Sequence, residues 1–460
     1  MGLISSIPSS FRDPSGNLFM YNDILYRRIS YSFKENYDHF MNSGLYNELC
    51  SKRMLIAHEE VSFDGITIPD TYKIIKPEKI DFISYPFEWC FSQLKDAALL
   101  TLKIQKISLK FGMSLKDSSA YNIQFKDNKP IFIDTLSFER YKEAKPWVAY
   151  RQFCQHFFAP LALMSLKDMR LNQLLRIYID GIPIDLASKL LPIMARFNLG
   201  VFMHLHLHAK TQKRFEDRTI NRKRLKMNLN SLNALIEHLE SSIKRLQLKS
   251  KDAQWYDYYE KSSYSQRAKE HKLKIILNLL DRLDPGIVMD LGANDGFYSR
   301  LIAKKAKFVV SIDADGACVE KNYGECKKGN HKNVLPLLVD LANPSPAIGW
   351  DSMERQAFLE RFRADTIFAL ALIHHLAISN NIPLDKIADF LSNLCSRFLI
   401  IEFVPKTDSQ VKRLLSSRED IFSYYRKDAF EQAFLRHFVI KDKVDIVESE
   451  RTIYLMERKN

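Results

Sequence analysis

The densest chemistry in the sequence is one short run, Asp290-Leu291-Gly292-Ala293-Asn294-Asp295-Gly296. It follows an apolar strand-like stretch, Gly286 to Asp290, and opens a helical segment from Phe297 to Lys305. Gly292 and Gly296 let the backbone approach a ligand closely and accept positive φ. The helix start behind them presents free N–H groups. In open α/β sheets, ligands lie beyond the carboxyl ends of the strands at such turns. The spacing is not G-x-G-x-x-G, so no third glycine is placed for a pyrophosphate and a dinucleotide is disfavoured. Asp290 offers negative charge to a cationic group. Asp313, ending the next strand-like run, can accept both hydroxyls of a ribose. Asp340 ends the third such run.

Further along, His374 and His375 follow the fourth strand candidate, and Glu402 closes the fifth. A histidine at a strand end can take a proton near neutral pH, and Glu402 is the second candidate base. These three are the expected catalytic groups. A different constellation lies upstream. Asp117, then Asn122, then Asp134 after the short run Pro130 to Ile133 is an arrangement suited to phosphoryl transfer. There one carboxylate takes a hydroxyl proton, while the amide and the second carboxylate hold magnesium. His204, His206 and His208 alternate with apolar residues. On a strand they would share a face, but no second cluster of ligands accompanies them, and no metal site is expected.

Two resemblances follow from these residues. The first rests on Asp290-x-Gly292-x-Asn294-x-Gly296, Ser311-Ile312-Asp313-Ala314-Asp315, Asp365 to Leu376, Leu399 to Phe403 and Arg451 to Met456. Taken in this order and spacing, the region from about 255 to 460 resembles the class I S-adenosylmethionine (SAM)-dependent methyltransferases, including nodulation-associated bacterial ones. The resemblance implies SAM as cofactor, with Asp290 and Gly292 flanking its methionine part and Asn294 and Gly296 also among the cofactor-binding residues. Asp313 would lie at the ribose and Asp340 near the adenine. It also implies that the aromatic lead-in Trp255-Tyr256-x-Tyr258 and Tyr264 covers the cofactor. The second resemblance covers residues 12–210. Asp117, Asn122 and Asp134 match the protein-kinase and aminoglycoside-phosphotransferase group, which would bring ATP and magnesium. The match departs from that group at Leu115-Lys116, at Thr135-Leu136 after Asp134, and in lacking a Gly-rich loop and a matching lysine. The implied domain is therefore kinase-like but degenerate.

The elements that must position these residues follow from periodicity. Strand-like runs at 286–290, 308–313, 334–339, 366–370 and 398–403 alternate with helical patterns, which predicts a parallel sheet. Upstream, alternation around Asn22-Asp23 predicts a hairpin within 12–35. Residues 34–60 read as a helix ending at Lys52-Arg53, Phe87 to Lys110 as an amphipathic helix, and Leu232 to Leu248 as another. A basic stretch runs from Lys210 to Lys226. The expected organisation is a kinase-like domain over 1–210, a basic helical connector over 211–250 and a methyltransferase domain over 251–460. The fold class is α/β, a doubly wound Rossmann-like methyltransferase sheet preceded by an α+β kinase-like two-lobed domain.

Composition bounds the rest. With 46% hydrophobic and 27% charged residues, and only 14 Gly and 16 Pro in 460, the chain is globular rather than disordered. The net charge of +13 suits anionic partners such as nucleic acid, nucleotides or a membrane surface. Six cysteines without a C-x-x-C pair read as reduced thiols of a cytoplasmic protein. No run reaches the length of a membrane span. The expected activity is SAM-dependent methyl transfer to a small molecule, glycan, RNA or protein, with the first domain binding substrate or regulating. The alternatives are a bifunctional phosphotransferase–methyltransferase and a non-catalytic SAM- or nucleotide-binding protein. Oligomeric state is not encoded in any feature of the sequence.

Overall fold

The computed structural model describes residues 4–62, 68–208, 227–248, 265–416 and 419–459. The basic stretch 210–226 and the aromatic residues 255–264 lie outside the described residues. The chain forms two compact units. One is Met1–Ser250 with Ala347–Gln356, and the other is Lys251–Pro346 with Ala357–Asn460.

The first unit opens with a five-stranded antiparallel sheet. Its strands are β1 (Ile4–Ser6), β2 (Leu18–Tyr21), β3 (Ile24–Ser30), β4 (His58–Val61) and β5 (Thr71–Pro77), in the order β1-β2-β3-β5-β4. The expected hairpin is β2–β3, and its Asn22 and Asp23 both take positive φ, 51° and 60°. A two-residue turn of that hand matches strand twist and favours Asn and Asp. The segment expected as one helix over 34–60 is two, α1 (Lys34–Asn42) and α2 (Leu45–Ser51). They break at Gly44, whose φ of 86° no helix interior accepts.

Helix α3 (Phe91–Lys110) buries Phe91, Leu94, Ala97, Ala98, Leu102 and Leu109, the stripe expected of an amphipathic helix. Beyond it come β6 (Met113–Leu115), the hairpin β7 (Ile123–Lys126) and β8 (Lys129–Phe132), and β9 (Phe138–Arg140), which pairs with β6. The rest of the unit is helical. His204, His206 and His208 are not on a strand, since Phe202–Leu207 is π-helical. His204 is instead hydrogen-bonded to Tyr150 and His238, each at 2.8 Å. Among the described residues no cluster of ligands could hold a metal ion. The helix Leu229–Arg245, expected as a connector, buries Leu232, Ile236, Leu239 and Ile243 within this unit, against α3.

The second unit is built on a seven-stranded sheet: β10 (Ile287–Leu291), β11 (Phe308–Asp313), β12 (Val334–Leu338), β13 (Ala364–Ala369), β14 (Cys395–Phe403), β15 (Phe438–Asp445) and β16 (Thr452–Arg458). The order is β12-β11-β10-β13-β14-β16-β15. The first five strands are parallel, and β16 and β15 run antiparallel at one edge. This agrees with the expected methyltransferase-type sheet. From β10 the chain proceeds to β11 and β12 on one side, then crosses to β13 on the other. The carboxyl end of β10 therefore lies at the switch point where such sheets bind ligands.

Candidate functional site

The turn after β10 is held by a buried polar network. Ser299 Oγ donates to Asp290 Oδ2 at 2.5 Å and lies 2.7 Å from Ser311 Oγ, which accepts from Asn322 Nδ2 at 2.7 Å. Arg300 donates to the Asp295 carbonyl at 2.6 Å and to Asn322 Oδ1 at 2.9 Å. Gly292 and Gly296 take φ of 71° and 74°, and Asn294 takes 52°. A Cβ at Gly296 would lie 2.0 Å from Asn322 Oδ1, so this position requires glycine on both backbone and steric grounds. Burial pushes the Asp290 carboxyl up to about 6, with the Asp313 charge adding to the rise and the Ser299 bond opposing it.

Asp313 ends β11 beside this turn. Its Oδ2 accepts from the Asn294 N–H at 2.7 Å and its Oδ1 from the Asp315 N–H at 2.8 Å. Among the described residues it forms no salt bridge. Burial raises its pKa as well. Asp340 is exposed two residues past β12, its Oδ1 accepting from the Ala342 N–H. The neighbouring Val339 N–H donates to the Asp313 carbonyl at 2.9 Å, so the two acids stand on adjacent strand ends.

His374 and His375 lie beyond β13 and open a π-helical turn, His375–Ser379. Successive side chains of an α-helix diverge by about 100°, which would separate the two rings. Here the rings stand side by side, with centroids 4.2 Å apart. His374 is buried and its Nδ1 has no hydrogen-bond partner among the described residues, while His375 is half-buried. Burial lowers both pKa values, with the His375 and Arg451 charges contributing at His374. Glu402 is wholly buried. It accepts from Lys272 Nζ at 2.6 Å and from Arg451 at 3.4 Å, and Arg451 in turn grips Asp408 at 2.7 and 3.1 Å. Lys272 interrupts the apolar stripe Ala268, Ile275, Ile276 and Leu279 of the helix Gln266–Leu283. That interruption was the available signal for this network.

In the first unit the structure brings Asp117, Asn122 and Asp134 together. Asn122 hydrogen-bonds Asp117, and burial followed by the Asp134 charge raises the Asp117 pKa. Arg27 on β3, which sequence reasoning passed over, changes this cluster. Its guanidinium lies 2.8 Å from Asp134 and 2.6 Å from Asp13. Asp134 also accepts from the Leu136 N–H at 2.9 Å and from Ser137 Oγ at 2.6 Å. Asn122 Nδ2 donates to Ser137 Oγ at 3.1 Å. The carboxylate that would face magnesium already holds a cation, so these residues do not fit a nucleotide-bound metal ion.

No protein-family model matches the chain. The chain is 32% identical over 460 residues to nodulation protein NoeA of Rhizobium meliloti (strain 1021), covering 98% of this chain and 96% of that protein. The chain belongs to the NoeA family. Among solved structures, magnesium protoporphyrin IX methyltransferase from Synechocystis PCC 6803 with bound SAH matches 46% of this chain and 94% of its own, at 16% identity and a TM-score of 0.33. The N-methyltransferase NodS of Bradyrhizobium japonicum WM9 matches 43% of this chain and 99% of its own, at 10% identity and a TM-score of 0.32. At those scores the two structures carry no functional weight.

Proposed function

We propose that the protein is a SAM-dependent methyltransferase whose cofactor lies over the turn Asp290–Gly296. The observation that carries this reading is Asp313. It is a carboxylate at the switch-point crevice, held in place by backbone N–H groups and not ion-paired among the described residues. The donor set fits SAM. Asp313 has lone pairs left for ribose hydroxyls. Gly292 and Gly296 keep the backbone bare where a side chain would intrude, Asn294 shapes the turn, and Asp290 supplies negative charge behind it. Asp340 stands where an exocyclic amine would be received.

Bound SAM supplies an activated methyl group on a sulfonium, so positioning accounts for most of the acceleration. The chain must then orient an acceptor and take its proton. His374 and His375 suit that task because their lowered pKa values leave them neutral at pH 7. His375, the half-exposed ring, has access to an acceptor, and the buried His374 positions it. Glu402, engaged by Lys272 and Arg451, anchors β14 rather than serving as base. The acceptor is a small molecule, glycan, RNA or protein that presents a nucleophile with a removable proton.

The first unit is proposed as a kinase-like domain that binds substrate or regulates, without phosphoryl transfer, because Arg27 neutralises Asp134. This disfavours the bifunctional reading. The test is calorimetry of the whole chain with SAM, since residues 347–356 belong to the first unit. A dissociation constant in the micromolar range, about −8 kcal/mol, is expected. Absence of heat from folded protein would end the proposal. Transfer of tritium from labelled SAM into cell fractions then identifies the acceptor class.

A further inference from the structure

A cavity of about 200 Å³ opens in the first unit, and none of its lining residues belongs to the Asp117–Asn122–Asp134 cluster. It is bounded by β6, β9, the loop that follows β9 and the helix Leu229–Arg245. Its floor is buried: Ser114 on β6, Trp147 in the loop and Leu232 on the helix. The indole of Trp147 is fixed in place, since its Nε1–H donates to the Leu115 carbonyl at 2.9 Å. Val148, 65% exposed, continues the apolar lining outward. Ligand pockets combine such apolar walls with a few placed polar groups.

The polar groups here are mostly cations. Arg140, Lys142 and Lys145 line the cavity from exposed positions, against one lining acid, Glu139. Lys142 and Lys145 enter no ion pair among the described residues. Arg140 reaches the exposed Glu35 at 3.9 Å, and a surface contact that loose neutralises little. The turn that carries the two lysines is unusual: Ala144 takes a φ of 61°, which residues with a Cβ seldom adopt. Its carbonyl accepts from the Met227 N–H at 3.3 Å. The Tyr141 side chain also lines the cavity, and its hydroxyl is shielded from solvent without a hydrogen-bond partner among the described residues. A shielded hydroxyl left so is costly. The surplus of cations selects the ligand. A phosphate monoester carries about −1.5 to −2 charges at pH 7 and three strong acceptor oxygens, whereas a carboxylate carries one charge. The apolar floor calls for an organic body on that phosphate. The volume, below the roughly 300 Å³ of pockets for drug-sized ligands, keeps that body small. We propose that this cavity binds a small organic phosphate monoester. Arg140, Lys142 and Lys145 meet the phosphate, the Tyr141 hydroxyl donates to it, and Trp147 and Leu232 receive the apolar body. This inference is independent of the methyl-transfer reading.

The test is calorimetry of the full-length protein with phenyl phosphate, and with benzoate and inorganic phosphate as companion probes. Phenyl phosphate should bind with a sub-millimolar dissociation constant. It should bind about tenfold or more tighter than either companion, because benzoate lacks the second charge and inorganic phosphate lacks the apolar body. Its affinity should fall with added salt. The double substitution Lys142→Gln and Lys145→Gln should weaken binding by about tenfold or more, with the melting temperature unchanged because both side chains are exposed. Val148→Glu, which adds a negative charge to the lining, should weaken it as well. Lys129→Gln, at an exposed lysine on β8 outside the cavity, should leave binding intact. The proposal is overturned if folded protein does not bind phenyl phosphate, if either companion binds as tightly, or if the double variant binds undiminished. An equal loss in Lys129→Gln overturns it too, because the anion would then be held by diffuse surface charge rather than by this cavity.

Discussion

Asp134 in the first unit and Asp313 in the second are both strand-end acids beside a turn, and the fold treats them oppositely. Asp134 meets the guanidinium of Arg27 at 2.8 Å and spends its remaining capacity on Leu136 and Ser137. Asp313 meets backbone N–H groups, those of Asn294 at 2.7 Å and Asp315 at 2.8 Å among them. The first is compensated inside the protein. The second keeps a charge that a ligand can use. A carboxylate at a strand end therefore becomes a binding residue only where the surrounding fold withholds its counter-ion.

The largest expected effect tests whether the second unit performs the chemistry. His375→Ala should lower kcat for methyl transfer by about 10²–10⁴-fold, the range for a lost general base, with SAM affinity unchanged. His374→Ala should lower kcat less, through misplacement of its neighbour. Equal, mild losses in both would mean that the rings only pack, and the contrast with the first unit would lose its catalytic half.

The next effect tests the compensated side. Arg27→Ala leaves Asp134 without its cation in a mostly buried site, while Asp13 keeps Lys116 at 4.0 Å; the loss at Asp134 costs about 3–5 kcal/mol of stability. Thermal unfolding should show this loss. Millimolar magnesium should raise the melting temperature of the variant and not that of the wild type. A magnesium response in the wild type would break the comparison, since Asp134 would then be open to metal despite Arg27. Asp313→Ala tests the uncompensated side. It should weaken SAM binding by about 1.5–3 kcal/mol, the range for hydrogen bonds involving a charged group, as read by calorimetry. An unchanged affinity would remove the ribose from Asp313.

Sequence legibility divides along the same line. The parallel strands were readable because β10, β11 and β12 are near-continuous apolar runs, as strands buried on both faces must be. Edge strand β15 was not, because Lys441, Asp442 and Lys443 interrupt it where one side faces solvent. The glycine-bearing turn was readable because positive φ restricts the residue type. Arg27 was not. Its pairing with Asp134 spans 107 positions, and a lone cation on a strand announces no partner. The buried Lys272–Glu402–Arg451 chain had a local sign, a lysine inside an apolar helical stripe. Its two partners lie far along the sequence and were brought together only by the sheet. The histidine pair was placed correctly after β13, but the π-helical turn that aligns the rings has no periodicity to betray it.

The smallest expected effect concerns Asp290, which sharpens the meaning of an uncompensated acid. Its pKa stands at about 6 in the fold against an ordinary 3.8. With the folded pKa raised, stability associated with this group is fully present below about pH 4 and is lost as pH rises through 6. Between pH 4.5 and 7.5 the loss amounts to about 2 kcal/mol. Asp290→Asn keeps the acceptor for Ser299 and removes the titration. Its stability relative to wild type should therefore rise by about 2 kcal/mol over that pH interval, as read from urea midpoints of the full chain. The penalty should be recovered when SAM binds, because a nearby cation favours the ionised acid. Wild-type SAM affinity should strengthen as pH rises through about 6 and then level off, and Asp290→Asn should flatten that dependence. A pH-dependent affinity that persists in the variant would assign the titration to another group. A flat affinity in the wild type would mean that Asp290 supports the turn through Ser299 without sensing the cofactor's charge, leaving Asp313 as the acid that receives the ligand.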